Sequence, residues 1–220
     1  MLSVTEENYL KAIYHISHQD DSVNAVGTNE LASRLNLKPA TVNDMLKKLK
    51  EKKLVKYEKY GKIELTSIGS KTALYLVRKH RLWETFLVSK LRFNWDEVHE
   101  IAEQLEHINS AKLIERLDEF LLYPLFDPHG DPIPDSKGKI RKSSFIKLSN
   151  AKLKNHYKVM GVRDHSTLFL KYLEKNNFVI GTSFQVISME DFDGSFQIKT
   201  RSGQFTISNK AADFIIVEEV

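Results

Sequence analysis

Apolar residues repeat at helical spacing three times within the first 65 residues of the chain and then alternate with polar residues. A repeat of about three to four residues indicates one buried face of a helix, and strict alternation indicates a half-buried strand. The first predicted helix has an apolar stripe formed by Tyr9, Leu10, Ile13 and Tyr14. The second predicted helix is the segment NELASRLNL, and Thr28 is able to cap its N-terminus.

A third helix and a hairpin complete this pattern. Pro39 suits the first position of a helix, and the apolar stripe after it is made by Val42, Met45, Leu46 and Leu49. In the next segment, LVKYEKYGKIELT, apolar and polar residues alternate on both sides of a turn at Tyr60 and Gly61. The order helix, helix, turn, helix and hairpin predicts a winged helix-turn-helix domain over residues 1–65.

The middle of the chain, residues 66–140, is predicted to be helical. A long helix runs through KTALYLVRKHRLWETFLVSKL, and two shorter ones are expected at about 95–108 and 110–122. Residues 123–139 then hold four of the five prolines of the chain. So many prolines are incompatible with a helix or a central strand, so we expect a loop there.

Residues 141–220 change from helical to strand-like periodicity. After a short helical stretch at about 166–175, apolar residues recur every second position, at Phe184, Val186, Phe196, Ile198, Phe205 and Ile207. Turns are predicted at the Asp-Gly and Ser-Gly pairs between these runs. The sequence thus predicts an α+β protein of several domains that ends in a linker and a small antiparallel β domain.

The composition restricts the chemistry of the protein. The chain has no cysteine, which excludes a disulfide framework, a zinc ribbon and a thiol nucleophile, so any bound metal must be held by nitrogen and oxygen. The start, MLSVTEENYLKAIY, has acids where a signal peptide would have bases, and no apolar run approaches the ~20 residues of a membrane span. We therefore expect a cytoplasmic protein with no membrane partner.

The net charge of +4 is distributed unevenly along the chain. Residues 34–62 contain ten lysines and arginines against three acids, whereas residues 96–119 contain eight acids against two bases. One region therefore suits a polyanion and the other a cation. Runs of like charge are also common on solvated helix faces, which is the alternative for each region.

The acidic region contains the segment VHEIAEQLEH. On a helix with about 100° per residue, four of its side chains share one face: His99, Glu103, Glu106 and His107. On the preceding helix, His80 and Glu84 repeat the spacing of four residues. Carboxylates and imidazoles suit manganese, ferrous iron or zinc. The spacing favours a metal site, with a solvated acidic face as the alternative.

The basic region favours DNA as the partner. A helix that follows a helix and a tight turn presents its N-terminus to the major groove. The residues expected to meet base edges or phosphates from this helix are Lys38, Ala40, Thr41, Asn43 and Lys47. In the hairpin, Lys59 and Lys62 suit phosphate contacts. RNA and protein partners are the weaker alternatives.

With these residues in view, the chain resembles the diphtheria-toxin-repressor and manganese-transport-regulator family of metal-dependent bacterial repressors. The resemblance rests on five segments in order: TEENYLKAIY, LNLKPATVNDMLKKL with LVKYEKYGKIELTSIG, RKHRLWETFL, VHEIAEQLEH and DPHGDPIPD. It implies a winged helix-turn-helix domain, a helical domain at 66–140 that binds metal and forms a homodimer, and an SH3-like, FeoA-like β domain within 141–220.

The resemblance also implies two metal sites. The primary site matches Asn8, Glu103, Glu106 and His107, and the ancillary site matches His80, Glu84 and His99 together with a ligand from the β domain, for which Asp164 is the candidate. Family members carry methionine or aspartate where Asn8 stands, two-metal manganese regulators carry a second carboxylate where Lys11 stands, and Glu103 replaces the cysteine of iron-type members. This set of oxygen and nitrogen donors favours manganese over ferrous iron.

The sequence therefore predicts a transcriptional repressor, activated by Mn²⁺ or Fe²⁺, that binds a double-stranded DNA operator as a homodimer and represses metal-uptake genes. A primary-site metal would bridge the first helix to the helix that bears Glu106. We expect no enzymatic activity and no small-molecule substrate. Two alternatives stay open: a metal-independent DNA-binding regulator whose β domain binds a protein, and a metal-dependent hydrolase. DNA binding insensitive to chelator would favour the first, and steady turnover of phosphate or peptide substrates the second.

Overall fold

The computed structural model of the chain describes residues 2–18, 25–58, 61–140 and 145–220. The chain folds as two compact units. The first comprises Met1–His80, Leu105–Ser110 and Pro134–Lys139, and the second comprises Arg81–Gln104, Ala111–Ile133 and Ile140–Val220. The predicted division into three domains at residues 65 and 140 is a finer one, and it stays a prediction.

The first unit contains the winged helix-turn-helix. Its elements are α1 (Val4–Ser17), α2 (Thr28–Leu35), α3 (Pro39–Glu51) and a small antiparallel sheet of β1 (Val55–Lys56) and β2 (Glu64–Leu65). Ser3 and Glu6 form a capping box at the start of α1. Asn36, with φ of 53°, ends α2 in the left-handed conformation that starts the turn into α3. The predicted order of elements is confirmed.

The core of this domain is the set of apolar stripes that the sequence predicted. Its fully buried members come from all three helices and from the wing: Leu10, Ile13, Leu31, Val42, Leu46, Leu49 and Ile63. Each buried aliphatic side chain of this size contributes about 1.5–3 kcal/mol relative to exposure. The opposite face of α3 therefore faces away from this core, and Ala40 and Thr41 are exposed on it.

Three helices follow the wing: α4 (Ser67–Leu91), α5 (Val98–Leu105) and α6 (Ala111–Phe120). The prediction that one helix carries all of residues 95–108 is wrong at both ends. Trp95 packs into the core of the β domain instead, and the backbone N–H of Ile108 bonds the carbonyl of Leu105 in a tighter turn. Glu106 and His107 therefore lie in the turn after α5, and the shared helical face holds only for His99 and Glu103. Within the described ranges, no helix has the length and apolar character needed to cross a membrane.

The second unit ends in an antiparallel sheet of six strands, three of which contain the alternating runs predicted from the sequence at 184–186, 196–198 and 205–207. The strands are β3 (Ile146–Lys147), β4 (His156–Val162), β5 (Ser183–Met189), β6 (Phe196–Thr200), β7 (Gly203–Ile207) and β8 (Ile215–Glu219). Their spatial order is β3-β8-β4-β5-β6-β7. Two helices, α7 (Thr167–Lys175) and α8 (Asn209–Ala212), contribute buried residues to the same core.

The strand β4 was not predicted from the sequence. Its residues Tyr157 and Val159 alternate and are buried, but the pairing with β8 shifts register between Val159 and Gly161. Such a bulge interrupts the two-residue period on which the prediction depended. The bulge also places Gly161 beside the loop that follows α6, with consequences for the site described next.

Candidate metal centre and DNA-binding surface

Buried acids and an imidazole come together in the second unit. Glu84 lies on α4, and Asp127 and His129 lie in the loop after α6; their ligand atoms are all within 4.8 Å of one another. The three residues are 2%, 6% and 1% exposed. Since burying carboxylates without positive charge is costly, this grouping suits a cation.

The environment of His129 fixes which ring nitrogen faces the cluster. Nε2 lies 2.8 Å from the carbonyl oxygen of Trp95, which only accepts hydrogen bonds, so Nε2 carries a proton and donates it. In the neutral ring this leaves the lone pair on Nδ1. Nδ1 is buried without a hydrogen-bond partner among the described residues, and it lies 3.7 Å from Glu84 Oε2. An imidazole oriented by a carbonyl, with its other nitrogen toward carboxylates, is the arrangement of a metal-ligating histidine.

The electrostatics of the cluster indicate a shortage of positive charge. Burial, followed by the charges of Asp131 and Glu84, raises the pKa of Asp127 to about 7. Burial alone would lower the pKa of His129, but Glu84, Asp127 and the Trp95 carbonyl raise it to about 9. Both shifts favour taking up a proton. A divalent cation would supply the same positive charge, so the residues present fit a metal ion.

Backbone geometry holds the loop in place. Asp127 Oδ1 accepts hydrogen bonds from the backbone N–H groups of His129 and Asp131 at 2.8 and 3.0 Å. Gly130 has φ of +85°, and a Cβ on it would lie 2.0 Å from the carbonyl oxygen of Met160 in β4. The N–H of Val162 bonds the His129 carbonyl at 2.7 Å. The end of β4 thus positions the ligand-bearing loop, and only glycine fits at residue 130.

Arg81, one turn before Glu84 on α4, fastens the same loop to the helix. Its Nη1 donates to the Pro132 carbonyl at 2.6 Å, and its Nη2 lies 3.1 Å from Asp131 Oδ2. Its Nε lies 3.5 Å from Asp127 Oδ2. The guanidinium thereby binds both carboxylates of the loop and the carbonyl of Pro132.

The structure brings together some of the residues predicted for the ancillary site. His99 Nδ1 lies 3.3 Å from Glu84 Oε1, and its Nε2 lies 3.5 Å from Glu103 Oε1, with half of the His99 side chain exposed. His80 stands one helical turn before Glu84 on α4. Asp164 Oδ1 accepts the N–H of Ser166 at 2.8 Å before α7. No grouping of metal-ligand atoms among the described residues includes Asp164, which stays a prediction.

Two of the residues predicted for the primary site, Glu106 and His107, have other partners in the first unit. Glu106 is 1% exposed, and its two oxygens lie 2.7 and 2.8 Å from the Lys11 ammonium; His80 Nδ1 lies 2.5 Å from Oε2. Burial would raise the pKa of Glu106, but His80 and Lys11 lower it below its ordinary value. His107 Nδ1 lies 2.6 Å from Glu7 Oε2. Asn8 is exposed on α1, and Glu103 belongs to the second unit.

The predicted DNA-contacting residues lie on the outer side of α3 and in the wing. Lys38, Ala40, Thr41 and Lys47 are exposed, and Lys47 pairs with Asp44 at 3.0 Å. Asn43 is half-buried because its Oδ1 accepts a 2.6 Å hydrogen bond from the Tyr57 hydroxyl. Lys62 is exposed beside β2. Lys59, like the turn residue Tyr60, lies outside the described residues. A basic, exposed helix with a fixed amide fits a groove-reading role.

Three family models match consecutive parts of the chain. Residues 1–63 match the iron dependent repressor N-terminal DNA binding domain, residues 66–135 match the iron dependent repressor metal binding and dimerisation domain, and residues 146–219 match the FeoA domain. The chain belongs to the iron-dependent repressor family. The resemblance noted in the sequence is thereby confirmed, and the β domain is of the SH3-like FeoA type.

Solved and curated relatives of this repressor-family chain agree with that assignment. A manganese-dependent transcriptional repressor in complex with manganese is 33% identical, with a TM-score of 0.85 over 98% of this chain and 100% of that one. An uncharacterised HTH-type transcriptional regulator of Methanocaldococcus jannaschii is 37% identical over 54% of this chain and 94% of its own. The iron-dependent repressor IdeR of Mycobacterium tuberculosis is 33% identical over 59% of this chain, and the match spans about half of that repressor, 55%.

Two residues of the candidate metal centre in this repressor-family chain were missed by the sequence reasoning. Asp127 and His129 stand in the proline-rich loop, which was interpreted only as a connection. The available signal was the string DPHGD, in which an acid and a histidine stand two residues apart beside a glycine. Residues on a loop have no helical or strand period, so only their chemistry marks them.

Proposed function

We propose that this chain is a metal-activated repressor that binds a double-stranded operator as a homodimer and acts in the cytoplasm. The observation that carries the proposal is the cluster of Glu84, Asp127 and His129, in which a buried imidazole nitrogen without a hydrogen-bond partner faces two buried carboxylates. Support also comes from the family, which consists of DNA-binding repressors with a dimerisation domain. The metal, when bound, supplies positive charge and fixed coordination geometry.

The donor atoms favour manganese or ferrous iron. Two carboxylates and one imidazole are hard and borderline ligands, and the chain has no cysteine to provide a thiolate. His99 Nδ1 lies 3.3 Å from Glu84 Oε1. His80 stands one helical turn before Glu84 on α4. Both residues add imidazole donors near Glu84. Relatives of the chain include a repressor in complex with manganese and iron-dependent repressors. We propose Mn²⁺ as the physiological metal, with Fe²⁺ as the alternative.

Glu84, Asp127 and His129 would hold the metal between a helix and a loop. Glu84 belongs to α4, whereas Asp127 and His129 belong to the loop that leads into the β domain. A ligand shifts a conformational equilibrium only through its different affinity for the two states. Because the loop is bound tightly only when the three ligands converge, we expect the metal to select the converged state with a coupling of about 1–3 kcal/mol.

On the DNA side, α3 supplies the reading surface. Ala40 and Thr41 offer methyl groups to thymine, and Lys38, Lys47 and Lys62 offer positive charge to phosphates. Two copies related by two-fold symmetry would place two such helices in successive major grooves about 34 Å apart. The operator is therefore expected to be a palindrome, and metal-uptake genes are the expected targets.

The decisive experiment measures DNA binding against metal. Purified protein captures genomic fragments at fixed salt with chelator, Mn²⁺, Fe²⁺ or Zn²⁺, since phosphate contacts make affinity depend on salt. We expect the protein to capture a few palindromic fragments only when Mn²⁺ or Fe²⁺ is present. The Glu84→Gln chain should not capture them. Glu115→Gln, an exposed acid of α6, is the matched control and should behave as the unmodified chain. Equal capture of these fragments in the presence of chelator would contradict the proposal and favour a metal-independent regulator.

A further inference from the structure

A second cluster of donor atoms, in the first unit, surrounds an ammonium group. Lys11 of α1 places Nζ 2.7 and 2.8 Å from the two carboxylate oxygens of Glu106. The side chains of the two residues are 11% and 1% exposed. Two oxygens of one buried carboxylate thus converge on a single cation, as they do when a carboxylate binds a metal ion in bidentate fashion.

The neighbours of this pair complete a set of metal-type donors. His80 Nδ1 lies 2.5 Å from one oxygen of Glu106, and His107 Nε2 lies 3.9 Å from the other. Glu7 Oε2 lies 2.6 Å from His107 Nδ1. Carboxylates and imidazoles are the ligands that manganese and ferrous iron take. The donor types are therefore the same as at Glu84, Asp127 and His129. The two clusters differ in the cation that the donors surround.

The charges of the cluster are already balanced. Lys79 is a second buried lysine, 3% exposed; burial lowers the pKa of its ammonium, and the charges of Glu7 and Glu106 oppose that shift. Counting carboxylates and ammonium groups alone, Glu7 and Glu106 are matched by Lys11 and Lys79. A divalent ion added to this cluster would meet the buried ammonium of Lys11 at short range, and such repulsion is weakly screened away from water.

We propose that Lys11 is the resident cation of this cluster: its ammonium occupies the position of a divalent metal and ties α1 to the turn at Glu106 without any metal. The predicted primary site at Asn8, Glu103, Glu106 and His107 does not fit a metal ion while Lys11 is present. The inference rests on the proposed function in one respect, because it leaves metal sensing to the centre at Glu84, Asp127 and His129.

The test counts bound metal in chains that differ at Lys11. Mn²⁺ equivalents per chain are measured by equilibrium dialysis and elemental analysis, at pH 7, in the Glu84→Gln chain and in Glu84→Gln with Lys11→Met. We expect no tightly bound Mn²⁺ in the first and an additional equivalent in the second. In the Glu84→Gln background, Mn²⁺ should also raise the melting temperature of the Lys11→Met chain and leave that of the Lys52→Met control unchanged. Lys52 Nζ lies 2.7 Å from Oε1 of Glu6, which belongs to α1. This control therefore also removes an ion pair between a lysine and a carboxylate that involves α1.

Two results would overturn the inference. The first is a Mn²⁺ equivalent in Glu84→Gln that disappears when Glu106→Gln is added, since Glu106 would then bind metal despite Lys11. The second is a folded Lys11→Met chain that gains no Mn²⁺. If Lys11→Met does not fold, the Glu106→Gln comparison in chains that retain Lys11 still decides. Failure of the proposed function has another signature, namely DNA binding indifferent to Mn²⁺, and it leaves these metal counts valid.

Discussion

The two clusters of acids and imidazoles in this protein use the same donor types and differ in one group. Around Glu106 the ammonium of Lys11 lies 2.7 Å from a carboxylate oxygen. Around Glu84 the cationic side chain that the structure describes is Arg81, whose Nε lies 3.5 Å from Asp127 Oδ2, and burial together with the neighbouring carboxylates raises the pKa of Asp127 to about 7. The first cluster holds a lysine ammonium against its carboxylate, whereas in the second the pKa shifts of Asp127 and His129 both favour the uptake of positive charge, as a proton or as a metal ion.

This difference teaches that ligand types alone do not identify a metal site. A set of donors binds a cation, and the cation is either brought by the chain or taken from solution. When the chain supplies it, the contact is permanent and independent of metal supply. When it does not, the buried acids must bind a proton or a metal, and the fold becomes sensitive to metal concentration.

The largest effect is expected from removing the resident cation. Lys11→Met leaves the buried carboxylate of Glu106 without its ammonium, and breaking a buried pair in this way costs about 3–5 kcal/mol. The free energy of unfolding, measured by urea denaturation in the presence of chelator, should fall by that amount. Lys52→Met removes a lysine that is 44% exposed from its pair with Glu6, so its cost should stay below about 1 kcal/mol. Equal losses would contradict the comparison.

The second effect concerns the cluster that takes its cation from solution. At a free Mn²⁺ concentration of about 100 times the dissociation constant, binding to the folded state alone stabilises it by about 2.7 kcal/mol. We expect this increase in the unmodified chain and its loss in Glu84→Gln, because Glu84 faces both His129 and His99. Thermal unfolding with and without Mn²⁺ measures it. Mn²⁺ stabilisation that survives in Glu84→Gln would place the metal elsewhere.

The fold could be predicted from the sequence where hydrophobic periods are regular. The stripe at Val42, Leu46 and Leu49 predicts α3, and alternation from Phe184 onward predicts the later strands, because each pattern leaves one face to bury. The strand β4 was not predicted because its bulge near Gly161 breaks the two-residue alternation of buried and exposed positions. The end of α5 was misplaced because a tight turn continues the helical spacing for a few residues.

The candidate sites were less accessible to sequence reasoning. The spacing of His80 and Glu84 on one helix was visible, and so was the basic face of α3. The approach of Asp127 and His129 to Glu84 depends on a left-handed glycine and on contacts with β4, which no local pattern encodes. Likewise, the sequence shows that Lys11 is a lysine, but only the packing shows that it reaches Glu106.

A third effect separates loop geometry from ligand chemistry. Gly130→Ala places a Cβ 2.0 Å from the Met160 carbonyl oxygen at φ of +85°, so the loop must shift. We expect a loss of stability of about 1–3 kcal/mol and weaker Mn²⁺ binding. Gly181→Ala is the matched control, because φ there is +89° and nothing lies within 4 Å of the added Cβ. Calorimetric Mn²⁺ titration of both variants isolates the contact with β4; equal affinities would show that the contact does not position the loop.

The smallest effect tests whether the DNA-reading surface is independent of both clusters. Tyr57→Phe removes the hydroxyl that bonds Asn43 Oδ1 at 2.6 Å, which costs about 0.5–1.5 kcal/mol and frees the amide to rotate. Affinity for a captured operator fragment should fall by several-fold when measured by fluorescence anisotropy with Mn²⁺ present. The increase in melting temperature caused by Mn²⁺ should stay unchanged, because the hydroxyl contacts neither cluster. If that increase shrinks along with the affinity, the hydrogen bond between Tyr57 and Asn43 contributes to metal binding as well as to DNA reading, and its role is not confined to the DNA-reading surface.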